Sequence, residues 1–188
     1  MDMTTMRTAC TSTERILGAV DIDQYDRATP CTEWSVRDLV NHVLGTLALG
    51  AALLSDTPPT VKMAPGVLPD VDLVGADPLK TYRLGAEELV AAAGGDALAR
   101  MHATPLGEMP GSLLGGFTTL DIAVHGWDLA RATGQSAELD DALAADVLAF
   151  ARQTITDDGR APRIGPELTA APGASVTDQL VAFLGREP

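Results

Sequence analysis

The sequence predicts an all-α fold, and three observations support this. Apolar residues recur at helical spacing between clear Gly, Pro and Asp breaks. No segment shows the sustained polar and apolar alternation of a strand. Aromatic residues make up only 4% of the chain, so small aliphatic side chains must form most helix contacts. With 188 residues, the chain can bury one substantial core, and we expect a single domain over residues 1–188.

Two helices are predicted in the first third of the chain. The first begins near the N-terminus and continues through Thr11–Val20, before a run rich in Asp. The second spans Val36–Leu54, with Ser35 as its N-cap and Asp38 as the reciprocal acid of a capping box. Trp34, directly before the cap, fits the apolar residue of a hydrophobic staple better than a surface that stacks on substrate.

The middle of the chain begins with a long irregular segment, residues 56–75, which is rich in Pro and Gly. Irregular segments of this length are typical of lids and binding loops. A third helix should start at Pro78, capped by Asp77, and run through Val90 until Gly94 and Gly95 weaken it before Arg100.

The last part of the chain is predicted to hold three more helices. A Gly/Pro-rich segment, TPLGEMPGS, separates the third helix from a fourth over residues 113–132, which Gly134 closes. A fifth helix is expected over residues 139–156, and a short closing helix over residues 176–185 follows an irregular tail at 157–175.

Charge and hydropathy exclude several function classes. The chain has 13 Lys and Arg against 26 Asp and Glu, a net charge of -13 that repels nucleic acids and anionic membrane surfaces. No apolar run approaches the roughly 20 residues of a membrane span, and the N-terminus has no signal-like segment. We therefore expect a soluble, cytoplasmic protein. Cys10 and Cys31 are interpreted as reduced thiols, with a reactive Cys31 near a helix start as the less favoured alternative.

The candidate site lies in the stretch TTLDIAVHGWDLARATG, where Asp121 precedes His125 by four residues. Residues four apart share a helix face, so a carboxylate and an imidazole can reach one point. If the second and fourth helices are neighbours, His42 can complete a metal site of two His and one Asp. Three protein ligands leave open coordination positions; this donor set suits Zn, and Fe(II) or Ni(II) nearly as well. Taken alone, the spacing also fits an intrahelical ion pair and a packed histidine.

Other polar residues compete for these roles. His102 is an alternative third ligand, although we expect it on the surface or in a loop. Asp38 and His42 repeat the same spacing, which would suit a two-metal bundle, but Asp38 better fits the capping box or an acceptor for the His42 ring. Asp128 should face away from the site and pair with Arg131, and Trp127 should pack against a neighbouring helix.

Two segments, PCTEWSVRDLVNHVLG and TLDIAVHGWDLARATG, together resemble the DinB/mycothiol-dependent maleylpyruvate isomerase superfamily, specifically its short actinobacterial metal-binding branch. The tail PRIGPELTAAPGASVTDQLVAFLGREP is similar to that branch as well. The resemblance implies a DinB-like four-helix bundle with extra short C-terminal helices and a divalent metal, usually Zn, held by His42, Asp121 and His125. The isomerase has Glu where this chain has the shorter Asp121.

The resemblance also implies a metal-dependent S-transferase or isomerase that uses a low-molecular-weight thiol of the mycothiol type on a small electrophile, with residues 56–75 helping to cover the pocket. A non-catalytic bundle that binds metal or a small ligand, and a metal-dependent hydrolase using the same site, are the alternatives. The expected partners are the small-molecule substrate and the thiol. The sequence leaves open whether the chain is a monomer or a homodimer.

Overall fold

The computed structural model describes residues 1–64, 66–160 and 164–188. Its residues divide into two compact units, Met1–Ala137 and Glu138–Pro188. That the two units form one domain stays a prediction.

The described residues of the first unit form four long helices and one β-hairpin. The helices are α1 (Met3–Leu17), α2 (Val36–Leu54), α3 (Pro78–Ala92) and α4 (Gly111–Thr133), and a 3-10 turn lies at Ile22–Gln24. The hairpin strands are β1 (Met101–Thr104) and β2 (Gly107–Pro110). The predicted all-α, DinB-like bundle is confirmed.

Local side chains begin and end these helices as the sequence predicts. Ser35 and Asp38 form a complete capping box at the start of α2, which has the predicted bounds. The Asp77 carboxylate accepts a hydrogen bond from the Lys80 amide at the start of α3. Gly134 ends α4 with a φ of 75°, a left-handed conformation that favours glycine.

The packing of α2 against both α3 and α4 positions the candidate site, because α2 carries His42 and α4 carries the Asp121/His125 pair. Helix α4 also packs on α1, where Gly126 meets Thr13; a β-carbon at position 126 would collide with the Thr13 hydroxyl. The Thr13 hydroxyl donates to the main-chain carbonyl of Ile122 at 3.0 Å. The core between these helices includes fully buried large side chains: Met6, Ile16, Leu39, Leu47, Leu54, Tyr82, Leu89 and Ile122.

The segment between α3 and α4 differs from the prediction. Helix α3 ends at Ala92, and residues 101–110 form an antiparallel hairpin in which His102 pairs with Met109, although the part from Thr104 onward was expected to be irregular. The strands are only four residues long, too short to show a convincing alternation in the sequence. His102, expected on the surface or in a loop, is instead only 2% exposed. Hydrogen bonds to Asp56 and the Ala97 carbonyl satisfy its ring nitrogens, which makes this burial tolerable.

The long segment that precedes α3 lies against α2. The Asn41 side chain donates to the Val71 carbonyl and accepts from the Leu73 amide, at 3.1 and 2.7 Å. The Val67 carbonyl lies 3.1 Å from Nδ1 of His42. These contacts attach the segment next to the candidate site.

The second unit contains α5 (Asp141–Thr154), the one-turn helix α6 (Asp157–Arg160) and α7 (Val176–Phe183). Helices α5 and α7 pack on each other. The predicted fifth and closing helices are confirmed with shorter bounds, while α6 occupies the start of a tail expected to be irregular. Part of that tail, residues 161–163, lies outside the described residues. Across the described ranges, no helix has the length and apolar character needed to cross a membrane.

Candidate metal centre

The three side chains predicted as metal ligands meet between α2 and α4. Oδ2 of Asp121 lies 3.2 Å from Nε2 of His42 and 3.8 Å from Nε2 of His125. All three donor atoms lie within 4.8 Å of one another. The His42 side chain is 0% exposed, that of His125 11% and that of Asp121 25%, so any access from solvent is on the Asp121 side.

A main-chain carbonyl orients the His42 ring. Because the Val67 carbonyl can only accept, Nδ1 of His42 carries the proton in that contact. Nε2 therefore faces the Asp121 carboxylate and must hold either a second proton or another cation. Burial disfavours the protonated ring, but the adjacent Asp121 carboxylate outweighs this effect, and the net result is a raised pKa for His42.

A carboxylate orients the His125 ring in the same sense. Nδ1 of His125 lies 2.9 Å from Oδ2 of Asp128, whose side chain is 0% exposed. With Nδ1 as the donor to this carboxylate, the Nε2 lone pair is directed to Asp121. Carboxylates that hold a histidine in this way are typical partners of metal-ligating imidazoles.

The two oxygens of Asp121 have different neighbours. The Thr46 hydroxyl donates to Oδ1 at 2.9 Å, which leaves Oδ2 directed at the two imidazoles. Burial by itself would raise the pKa of Asp121, but the nearby His42 and His125 rings and the Thr46 hydrogen bond lower the pKa to about 2. The carboxylate is therefore ionised at neutral pH, as a ligand for a cation must be.

Trp34 packs against both imidazoles. Its ring centroid lies 4.6 Å from that of His42 and 5.8 Å from that of His125. The sequence favoured a staple for this residue. Its position beside the two rings shows that it also shields the site from water on one side.

The other predicted candidates lie elsewhere or have other partners. Both ring nitrogens of His102 are occupied by Asp56 and the Ala97 carbonyl, at 2.9 and 2.7 Å, so it does not join the other two histidines. The Asp38 carboxylate accepts from the Ser35 amide, and the Ser35 hydroxyl oxygen accepts from the Asp38 amide, as the capping box requires. The acceptor for His42 is the Val67 carbonyl rather than Asp38.

Sequence reasoning missed two residues of the site. Asp128 was expected to face away, yet it contacts His125, and the signal was present because residues three apart on a helix are also neighbours. Thr46 follows His42 by one turn of α2, which places its hydroxyl on the same face as the predicted ligand. A search for hydrogen-bonding residues one turn from each candidate ligand would have found both.

The helical bundle places this chain in the class of DinB-like proteins, and in this chain two imidazoles and a carboxylate converge between two helices of the bundle. Within that class, the chain belongs to the family described as the mycothiol maleylpyruvate isomerase N-terminal domain, whose profile matches residues 6–130. The matched region extends from within α1 through most of α4 and therefore contains His42, Asp121 and His125.

The chain is also similar to individual proteins. The uncharacterized proteins Rv0738 and MT0763, from two strains of Mycobacterium tuberculosis, are each 38% identical over 174 residues, which is 91% of this chain and 90% of theirs. A crystal structure of a mutant of the mycothiol-dependent maleylpyruvate isomerase superposes with a TM-score of 0.59 at 15% identity. That match covers 79% of this chain but 65% of the isomerase chain, so it shows a shared fold.

Proposed function

We propose that this chain holds one divalent cation through His42, Asp121 and His125. The cation would serve the transfer of a low-molecular-weight thiol to a small electrophile, or the thiol-dependent isomerisation of that electrophile. Zinc is the expected metal because two imidazoles and one carboxylate suit it, and Ni(II) or Fe(II) would fit the same donors. The proposal places the reaction in the cytoplasm.

The observation that carries the proposal is the orientation of the two imidazoles. Their Nδ1 atoms face the Val67 carbonyl and the Asp128 carboxylate, so both Nε2 atoms are directed at the ionised Asp121. Nitrogen lone pairs and an anionic oxygen repel one another unless a positive charge lies between them. A proton can lie between one imidazole nitrogen and the carboxylate oxygen, but a divalent cation can bind all three donor atoms together.

The residues around the three donors support ligation. Thr46 holds the distal oxygen of Asp121, and Val67 and Asp128 fix the two rings, so little side-chain freedom would be lost when a cation binds. Trp34 shields one side from water. With three protein ligands, further coordination positions stay open to a small molecule.

A divalent cation held by His42, Asp121 and His125 would supply a lowered pKa for a thiol or a water molecule beside a small electrophile. The chain's own residues orient the donors and limit access to the Asp121 side, which is the most exposed of the three. The segment of residues 56–75 already contacts His42 through the Val67 carbonyl, so it is suited to help cover a bound ligand.

Family membership is the reason for choosing a thiol as cosubstrate. The description of the family names the mycothiol maleylpyruvate isomerase, and the similar crystal structure is that of a mutant of the mycothiol-dependent maleylpyruvate isomerase. Mycothiol or a thiol of the same kind is therefore the proposed cosubstrate, and a small electrophile that a thiol can add to is the proposed substrate.

The test combines metal analysis with assays of thiol consumption. His42→Gln and His125→Ala should each lose the zinc ion held by the three donors, and both should lose thiol-dependent turnover. His102→Gln is the matched control, because His102 is also buried and hydrogen-bonded but lies outside the donor set. A zinc stoichiometry in the His42→Gln protein equal to that of the native chain, or full activity after chelation, would contradict the proposal.

A binding function without turnover is the second candidate, and the enclosure of two donors favours it. His42 and His125 are 0% and 11% exposed, which leaves a narrow approach for a reacting pair of molecules. Zinc binding and thiol-dependent thermal stabilisation without product formation would support this candidate. Product formation that needs the metal but no thiol would instead support a hydrolase.

A further inference from the structure

A second set of three donor atoms lies on the opposite side of the His125 ring. Sγ of Cys31 is 3.3 Å from Oδ2 of Asp128 and 3.8 Å from Nδ1 of His125, and that Nδ1 is 2.9 Å from the same carboxylate oxygen. The proposed function uses only Nε2 of His125. This second set therefore uses donor atoms that the first site does not.

We propose that Cys31, His125 through Nδ1 and Asp128 form a second cation site, selective for a thiophilic divalent ion such as Zn²⁺ or Cd²⁺. Zinc bound tetrahedrally to sulfur, nitrogen and oxygen donors places those donors about 3.3–3.6 Å from one another. The three observed separations, 3.8, 3.3 and 2.9 Å, differ from these values by a few tenths of an ångström. Small side-chain rotations would bring the donors to coordinating geometry.

The donor types determine which cation the site would select. A thiolate favours soft and borderline ions, whereas the first set has only nitrogen and oxygen donors. The second site should therefore bind Cd²⁺ more tightly than the first site does. A net charge of -13 also favours the approach of cations.

Two protons occupy this site in the absence of a cation, the thiol proton of Cys31 and the Nδ1 proton of His125, and both are directed at Asp128. A divalent cation bound to Cys31 and to Nδ1 of His125 would displace the thiol proton to solvent, and the ring proton would move to Nε2, beside Asp121, as long as the first site is empty. With both sites filled, both ring nitrogens of His125 would be donors, and the ring proton would also pass to solvent.

The local fold holds Cys31 in place before any cation binds. The Thr29 hydroxyl accepts from the Cys31 amide at 3.1 Å and donates to the Trp34 carbonyl at 2.9 Å, and the Trp34 amide donates to the Cys31 carbonyl at 2.7 Å. Asp128 is 0% exposed, whereas Cys31 is half-buried. Cys31 thus offers a route for an ion from solvent to the buried carboxylate.

The experiment titrates the purified full chain with Cd²⁺ and follows both stoichiometry by calorimetry and the thiolate-to-cadmium absorption in the ultraviolet. The native chain should bind two ions with a thiolate signal. Cys31→Ser should bind one ion and lose the thiolate signal. His42→Gln should bind one ion and keep the thiolate signal. Cys10→Ala is the matched control for a cysteine elsewhere: Cys10 is buried, its pKa is raised to about 12, and its loss should leave both ions and the signal unchanged.

Several results would overturn the second site. A native chain without a thiolate signal, or a Cys31→Ser chain that still binds two ions, would refute it. A single ion whose signal is lost in both Cys31→Ser and His42→Gln would also refute it, because one shared ion would then contact both sets. Circular dichroism of each variant checks folding. The His42→Gln result stands whether or not the first site supports catalysis, so failure of the two proposals can be told apart.

Discussion

Replacing Thr46 with Val tests whether the Asp121 carboxylate is oriented for a cation. The substitution keeps the shape of the side chain and removes the hydroxyl that donates to Oδ1 of Asp121 at 2.9 Å. Since Asp121 is 25% exposed, water can partly replace the lost donor, and we expect the metal-free protein to lose about 1 kcal/mol of unfolding free energy. For a chain of this size, that loss lowers Tm by about 2–4 °C.

The effect on zinc binding should be larger. Loss of a residue that orients a ligand typically weakens metal affinity about 10–100-fold. At a zinc concentration of about 100 times the native Kd, binding stabilises the native chain by about 2.7 kcal/mol, and a Kd raised 10–100-fold reduces this to about 0.4–1.4 kcal/mol. Thermal shift with and without zinc measures the difference directly, and competition with a chelator gives the two Kd values.

Thr118→Val provides the matched control for this measurement. The Thr118 hydroxyl also donates at 2.9 Å, but to the Leu114 carbonyl within α4 rather than to a candidate ligand. Its loss should leave the zinc affinity unchanged. If Thr46→Val binds zinc as tightly as Thr118→Val does, then the Thr46 contact does not orient a ligand, and the reasoning fails.

Three further predictions concern the metal-free and metal-bound chain. The pKa of His42 is raised in the fold, so its ion pair with Asp121 stabilises the metal-free protein. This stabilisation is complete below about pH 6.5, which is the pKa of an unfolded histidine, and it is lost as the pH rises through the pKa of His42 in the fold. Zinc competes with the proton on His42, so the increase in Tm that zinc causes should grow as the pH rises through the same range. An increase in Tm that does not depend on pH would contradict the role of His42 as a ligand. Gly126→Ala should lower the unfolding free energy, measured in urea, by about 1 kcal/mol, because the clash with Thr13 outweighs the gain in helix propensity. An unchanged unfolding free energy would show that α1 and α4 can separate at no cost. Tyr82→Phe removes a fully buried hydroxyl that donates at 3.0 Å to a main-chain carbonyl of α1, and a loss of about 1–2 kcal/mol is expected by the same urea titration, with no change in zinc affinity.

The helices that carry the site could be predicted because their signals are local. Ser35 and Asp38 interact across one turn, as do Asp121 and His125, so the cap of α2 and the shared face of the acid and imidazole follow from spacing alone. The hairpin at residues 101–110 could not be predicted, because its strands are stabilised by pairing with each other and by the burial of His102.

The sequence by itself determined the helical class, the bounds of α2 and the pairing of Asp121 with His125, since each depends on residues within a turn or two of one another. Tertiary structure decided what lies on either side of each imidazole ring. Val67 and Asp121 flank His42 from 25 and 79 residues away, and Cys31 reaches Asp128 across 97 residues. Such contacts depend on how helices and loops pack over long separations, and neither periodicity nor capping specifies which atoms then meet.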